Sequence, residues 1–292
     1  MSGPALIAHL LLECLPGQPV RRVPENTAIM RDARQNAAFE EAGRDEGILA
    51  AVYTYHALQI APLLQPGDRV LDLACGPGNL LAQVAGLRPD AHFTGIDASP
   101  AMLERAAATL ARQTCDNVLL TEADMTRLTG VADASADAVL CTFSLHHLTG
   151  AAALQAALHT LRRVLKPGGR LYLTDFGRLK HRRTQRFLSH DRQADQSEAF
   201  TCDFFHSLRA AFSADELQRA LQTAGLPAQC HRTALADFML IFRSPGQHPV
   251  DSALLQRMKH RLSRLGPQQQ RDFRNLSRWF TLGGLRLPDG LS

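Results

Sequence analysis

Residues 70–80 read VLDLACGPGNL. The apolar alternation predicts a strand over 69–74 that delivers the chain to Asp72, and Gly76 and Gly78 then admit a tight turn against a ligand. A helix is expected next, through about residue 86, and its N-terminus offers unpaired N–H groups. A G-x-G turn alone is a weak signal. The nicotinamide-dinucleotide fingerprint needs a third glycine, and Leu81 stands at that position.

Working outward, each following segment repeats the pattern of strand, turn and helix. A strand over 91–97 (AHFTGID) ends on Asp97, whose carboxylate can accept two hydrogen bonds from a ribose diol. The next helix has Ser99 as N-cap and Pro100 at its first position. A strand over 117–122 (NVLLTE) leads to Asp124 and Met125, a carboxylate beside a soft thioether that suits an adenine amino group and ring face. Strands over 137–143 and 170–176 flank a helix over 151–165 that buries Leu154, Leu158, Leu161 and Leu165. Ser213 and Glu216 form a capping box, Gly225 ends the helix they open, and closely linked strands near 228–233 and 238–242 read as an antiparallel pair. Strands alternating with helices give an α/β fold, a parallel sheet with helices on both faces. Three ligand-type groups at the carboxyl ends of successive strands define a nucleoside pocket.

Composition narrows the class. The 292 residues are 45% apolar and 21% charged, ordinary for a globular chain long enough to bury a core without disulfides or metals. No apolar run reaches the roughly 18 residues that cross a bilayer, and 5–12 reads as a short helix rather than a signal peptide. The cysteines at 14, 75, 115, 141, 202 and 230 show neither C-x-x-C pairing nor metal-ligand spacing, so free thiols, no metal and a cytoplasmic location are expected. The net charge of +4 is uneven: 177–190 and 244–292 each carry +5. Basic segments of this kind point to an anionic partner or to a solvated face.

The segments VLDLACGPGN (70–79), TGIDASPAML (94–103), EADMTRL (122–128), DAVLCTFSLHHL (137–148) and LKPGGRLYLTD (165–175) together resemble class I S-adenosylmethionine (SAM) dependent methyltransferases. The likeness covers about 70–175 and weakens through 242. It implies a Rossmann-like doubly wound seven-stranded sheet of order 3-2-1-4-5-7-6 with strand 7 antiparallel, SAM as cofactor and S-adenosylhomocysteine as product. Gly76 and Gly78, with Asp72, Ala74 and Asn79, would hold the methionine part. Asp97 would bind the ribose hydroxyls, with Ala98 and Met102 flanking the adenosine. Asp124 and Met125 would meet the adenine, and Thr142, Phe143 and Ser144 would line the reaction chamber. His146 and His147 are common in this family at the start of a helix. One of them serves as general base if the acceptor is a hydroxyl, and otherwise they pack or touch the cofactor.

The resemblance leaves the acceptor open. An N-terminal extension over 1–46, a catalytic domain over 47–243 and a helical basic extension over 244–292 are expected, with a lid insertion over about 177–212. Asp203, Phe204, His206 and Arg209 in that insertion are candidate acceptor contacts, as are Arg178 for an anionic group and Tyr53 and His56 in the helix before the first strand. The expected activity is methyl transfer to O or N of a small molecule. A protein or RNA acceptor and a non-catalytic SAM-binding scaffold are the alternatives, with nucleic acid disfavoured by the missing (N/D)PPY pattern. The apolar stripes of the tail, at 254–265 and 273–280, dock on the body or form a homodimer.

Overall fold

The computed structural model describes residues 4–25, 33–246 and 248–291. Three helices precede the sheet: α1 (Pro4–Cys14), α2 (Ala33–Gly43) and α3 (Ala50–Ile60). Then β1 (Arg69–Leu73), α4 (Asn79–Leu87), β2 (His92–Asp97), α5 (Pro100–Arg112), β3 (Val118–Glu122), β4 (Ala136–Thr142), α6 (Ala151–Val164) and β5 (Leu165–Phe176) alternate. The lid region folds as α7 (Arg182–His190) and α8 (Glu198–Ala210), followed by α9 (Ala214–Thr223), β6 (Gln229–Arg232) and β7 (Met239–Arg243). Two helices, α10 (Ser252–Ser263) and α11 (Pro267–Leu282), follow.

The seven strands lie in the order β3-β2-β1-β4-β5-β7-β6. β7 runs antiparallel to β5 and β6, and the other pairs are parallel. This is the expected topology. The registers Asp72↔Gly95 and Asp97↔Glu122 bring the carboxyl ends of β1, β2 and β3 level, so the turns that follow them open on one edge.

Period-two alternation divides the apolar side chains between two cores. Val70, Phe93, Tyr172 and Ile241 face α3, α4 and the C-terminal helices, whereas Leu71, Ile96, Leu173 and Phe242 face α6 and α9. Helix starts follow local chemistry. The Ser99 and Ser213 side chains accept from the backbone N–H of Met102 and Glu216, and the Ser213–Glu216 capping box is complete.

Two regions differ from the sequence reading. The first is residues 1–46, expected as an extension with one short helix over 5–12. There α1 packs on α7, and α2 packs on α8 and reaches α3 and α4. The second is α3: the helical spacing of Leu49, Val52, Tyr53, His56 and Ile60 puts them on one apolar face, yet the helix is buried on nearly every side. Its outer face is covered by α11: Tyr55 stacks on Phe280 with centroids 5.1 Å apart, and Phe273 lies tilted at 6.1 Å. Truncating a fully buried phenylalanine such as Phe280 costs about 3–5 kcal/mol, so this docking is a substantial part of the fold. Leu254, Met258, Phe273, Leu276 and Phe280 are buried, and Asp45 pairs with Arg261 and Arg264. The tail stripes are therefore docked on the body of the chain, the first of the two expected readings.

Candidate functional site

The turn after β1 is held by unusual backbone geometry. Ala74, Gly76 and Gly78 have φ of +53°, +55° and +75°. Glycine adopts this region freely, while alanine there costs about 1–2 kcal/mol. Gly78 is also sterically required, because a Cβ would lie 3.1 Å from the Ala106 Cβ of α5. The turn closes onto β2: the Gly76 N–H donates to Asp97 Oδ2 at 2.9 Å and the Ser99 N–H donates to Asp97 Oδ1 at 2.9 Å. Burial nevertheless pushes the Asp97 carboxyl above its ordinary value.

Asp72 lies beneath the same turn, 3% exposed, and its Oδ1 has no hydrogen-bond partner. Burial, and secondarily the charge of Asp97, push its pKa up to about 8. A buried carboxyl oxygen without a donor is costly, and a cationic ligand group beside it would remove that cost. Asp124 is exposed after β3, accepting from the Thr126 N–H at 2.7 Å and hydroxyl at 2.8 Å, with Met125 half-buried beside it. Thr142 ends β4, Phe143 follows at φ +52°, and the Ser144 hydroxyl donates to the carbonyls of Ala74 (3.3 Å) and Thr142 (2.9 Å). The loop after β4 is thus tied to the glycine turn. Ala98 is half-buried and Met102 buried at the start of α5.

The histidine pair sits in the single helical turn after β4. His146 is 2% exposed, its Nδ1 lies 2.6 Å from Asp175 Oδ1 at the end of β5, and its backbone N–H donates to Asp175 Oδ2 at 2.8 Å. Burial opposes the charged imidazole, but the charge and hydrogen bond of Asp175 outweigh it and hold the pKa above the ordinary value. His147 Nδ1 lies 2.5 Å from Glu25 Oε2, and Glu25 Oε1 accepts from the Ser207 hydroxyl at 3.1 Å. Burial raises the Glu25 carboxyl, yet the hydrogen bond and charge of His147, the His146 charge and the Ser207 hydroxyl together bring it below its ordinary value. Glu25, His146 and His147 carry ligand-type atoms within 4.8 Å of one another, and each group already has a hydrogen-bond partner within the chain.

The N-terminal segment is brought here by Arg22. Its guanidinium donates to the carbonyls of Ala210 (2.6 Å), His146 (2.9 Å) and Leu148 (2.6 Å), and stacks over Phe212 at 3.9 Å. The strap is further fixed by Val20 N–H to the Leu179 carbonyl and Val23 N–H to the Arg209 carbonyl.

A mostly apolar cavity opens beside His146 and His147. Its walls come from segments far apart in sequence: Leu6 and Leu10 of α1, Phe39 of α2, Phe204 of α8, and Leu276 and Trp279 of α11. Phe176 is the hinge of its aromatic lining, 5.3 Å from Phe143, 5.5 Å from His146 and 5.2 Å from Phe204. Asp203 also lines the cavity, and burial and then the Glu25 charge raise its pKa.

Of the expected acceptor contacts, Tyr53, Asp203 and Phe204 line this cavity, and the rest are placed elsewhere. His56 is fully buried, with Nδ1 2.7 Å from the Tyr172 hydroxyl and Nε2 3.2 Å from Met239 Sδ, and burial drops its pKa to about 3. It is a satisfied core histidine. Arg178 is turned away to pair with Glu216 at 2.5 Å. His206 is exposed, and Arg209 stacks over Phe205 at 5.6 Å, because both lie off the cavity face of α8. Asn79 opens α4 as expected, but its side chain donates to the Glu40 carbonyl at 3.1 Å and so holds α2. Asp175, Glu25 and Arg22 were not foreseen. Asp175 carries a usable signal, since it ends the strand LYLTDF on the ligand edge. Glu25 and Arg22 carry no local signal, and only the fold brings them in.

With this geometry in place, the comparisons are informative. Residues 70–169 match the family described as a methyltransferase domain. The chain is 38% identical over 117 residues to 27-O-demethylrifamycin SV methyltransferase of Amycolatopsis mediterranei, covering 39% of this chain and 40% of that protein. It is 35% identical over 117 residues to arsenite methyltransferase of Halobacterium salinarum, covering 38% of this chain and 28% of that protein. The matches thus span less than half the length of these relatives. A SAM-dependent methyltransferase from Aquifex aeolicus shares the fold, with a TM-score of 0.53 at 17% identity over 73% of this chain and 98% of that one. The central segment thus matches a methyltransferase-domain family and carries the strand order expected from the resemblance. Among the described residues no helix is long and apolar enough to cross a membrane.

Proposed function

We propose that the chain transfers a methyl group from SAM to a hydroxyl of a small, largely apolar acceptor held in the cavity. The observation that carries this reading is the buried Asp175–His146 pair in the wall of an aromatic chamber. Relatives with the same central domain have names specifying acceptors as different as a rifamycin and arsenite, so the acceptor has to be read from the cavity. The six thiols are dispersed and free. The cavity offers carbon surface, and its Arg192 is neutralised by Asp195 and Asp272. That favours an uncharged acceptor over the anionic one expected from the basic run.

The residues at the strand ends fit the cofactor. The orphaned Asp72 Oδ1 matches an ammonium group, and Asp97, at the end of β2, matches a ribose diol. Ala74, Gly76 and Gly78 would hold the methionine part by backbone contact, with Asp72 beneath. Ala98, Met102, Asp124 and Met125 would surround the adenosine, and Thr142, Phe143 and Ser144 would face the transferable methyl. When bound, SAM supplies a methyl on a positively charged sulfur, and its loss leaves a neutral thioether.

The chain's own work is positional and proton-handling. With Nδ1 directed at Asp175, His146 is left with Nε2 as its basic atom, and that atom takes the hydroxyl proton of the acceptor. Asp175 fixes the ring through two bonds and stabilises the imidazolium that forms. Glu25 Oε2 holds the His147 ring through its Nδ1. The apolar walls exclude water and orient the acceptor. The test uses methyl-labelled SAM with purified protein and a lysate split by size and then by solvent extraction. Label in a small, organic-extractable species is the expected result. Label confined to the macromolecular or to the anionic small-molecule fraction would overturn it.

A further inference from the structure

We infer that α1, the loop carrying Leu235 and the exposed arginines of α7 form a docking face for an anionic bilayer surface. Four of the six large apolar side chains exposed among the described residues meet here: Ile7 (57%), Leu11 (59%), Leu15 (53%) and Leu235 (53%). Ile7 and Leu11, four residues apart, face outward on α1, and Leu15 follows just past its C-terminal end. The Cys14 thiol donates to the Leu235 carbonyl at 3.4 Å, so this outward face and the loop adjoin. On the other flank α1 is fastened to α7. His9 stacks on Phe187 at 4.4 Å, and Glu13 accepts from the N–H groups of Lys180 (2.7 Å) and His181 (3.1 Å). That contact sets Arg182, Arg183 and Arg186, all exposed, beside that face, in a run without an acid through His190.

An apolar ridge bordered by cations matches a bilayer with anionic headgroups, where carbon enters the acyl boundary and each cation adds attraction. An α1 built for water would carry polar residues on its outer face, but the outer face of PALIAHLLLEC is apolar. The opposite side of the same helix supplies Leu6 and Leu10 to the cavity, and the loop supplies Ala234 and Ala236. The docking face and the acceptor chamber therefore share a wall one helix thick. This placement goes beyond the proposed methyl transfer and fits an acceptor that partitions into lipid.

The test is co-sedimentation of the full chain with vesicles of phosphatidylcholine alone and of phosphatidylcholine with phosphatidylglycerol. Sedimentation with the anionic vesicles, weakened by added salt, is expected. Affinity should fall roughly tenfold or more in Leu11→Ser/Leu15→Ser and in Arg182→Ser/Arg183→Ser/Arg186→Ser. Both variants replace exposed residues, and unchanged circular dichroism melts confirm that they fold. No vesicle binding, or variants that bind like the parent, would overturn the inference. So would a dimer in sedimentation velocity that Leu11→Ser/Leu15→Ser converts to monomer, because the ridge would then be a self-contact. The assay needs no turnover, so its failure is separate from failure of the methyl-transfer reading.

Discussion

The floor and the roof of the site are built by opposite rules. The floor, the strand ends and turns within 70–169, is made of backbone: the positive-φ residues Ala74, Gly76, Gly78 and Phe143, a sheet register, and the carboxyl groups of buried Asp72 and half-buried Asp97. The roof is made of side chains contributed by α1, α2, α8 and α11 and tied down by Arg22. Backbone geometry tolerates few residue types, so a floor of this kind is legible in short motifs. A roof of apolar side chains tolerates many, and its location depends on tertiary packing alone. The relatives match this chain over 117 residues and have names specifying different acceptors.

Substitutions at the seam and on each side test this division. The largest effect is expected at the seam. His146→Ala should lower kcat by about 10²–10⁴ while leaving SAM affinity intact in titration calorimetry. The raised pKa of His146 gives the sign of the pH dependence. The base works only when neutral, so kcat rises as pH climbs through that value. On the floor, Asp97→Ala should weaken SAM binding roughly 100-fold, through loss of two charge-assisted hydrogen bonds. Acceptor KM should follow only as far as cofactor occupancy does. Unchanged SAM affinity would remove Asp97 from the floor.

The roof predicts smaller changes. Glu25 raises the His146 pKa through its charge, so Glu25→Gln should move the acid limb of the rate profile to lower pH. It should also lower kcat roughly tenfold as His147 loses its anchor. A displacement to higher pH would show that Glu25 does not act on the pair. The smallest effect is expected for Arg178→Met. With its guanidinium engaged by Glu216, acceptor KM should stay within about twofold, and any loss should appear in melting temperature alone. A clear rise in KM would return the basic run to the acceptor site.

The sequence could be read where its constraints are local. The order of strands, the capping box at Ser213 and the glycine turn are each specified by residues within one or two elements. The sequence leaves His56 open between an acceptor contact and a core histidine, because an apolar helix face does not say whether its outside is water or protein. In this chain α11, more than two hundred residues later, encloses it. The split of α8 into Asp203 and Phe204 toward the cavity and His206 and Arg209 away from it follows from helix rotation, which sequence spacing leaves unfixed. Leu6 and Trp279, from opposite ends of the chain, share a wall that no pattern within either segment announces.

One contact in the roof has a kinetic consequence. Helix α2 is pinned over the start of α4 by Asn79 on the Glu40 carbonyl and by Arg105 on the Glu40 carboxylate at 2.6 Å, and its Phe39 ring stands against Gly76 while also lining the acceptor cavity. A single lever thus sits over both chambers. Release of spent cofactor is expected to require that lever to swing, and the same swing would unseat the acceptor side. Turnover should then follow the frequency of the swing, with burst kinetics in the first cycle, and product retention in one chamber should slow exchange in the other.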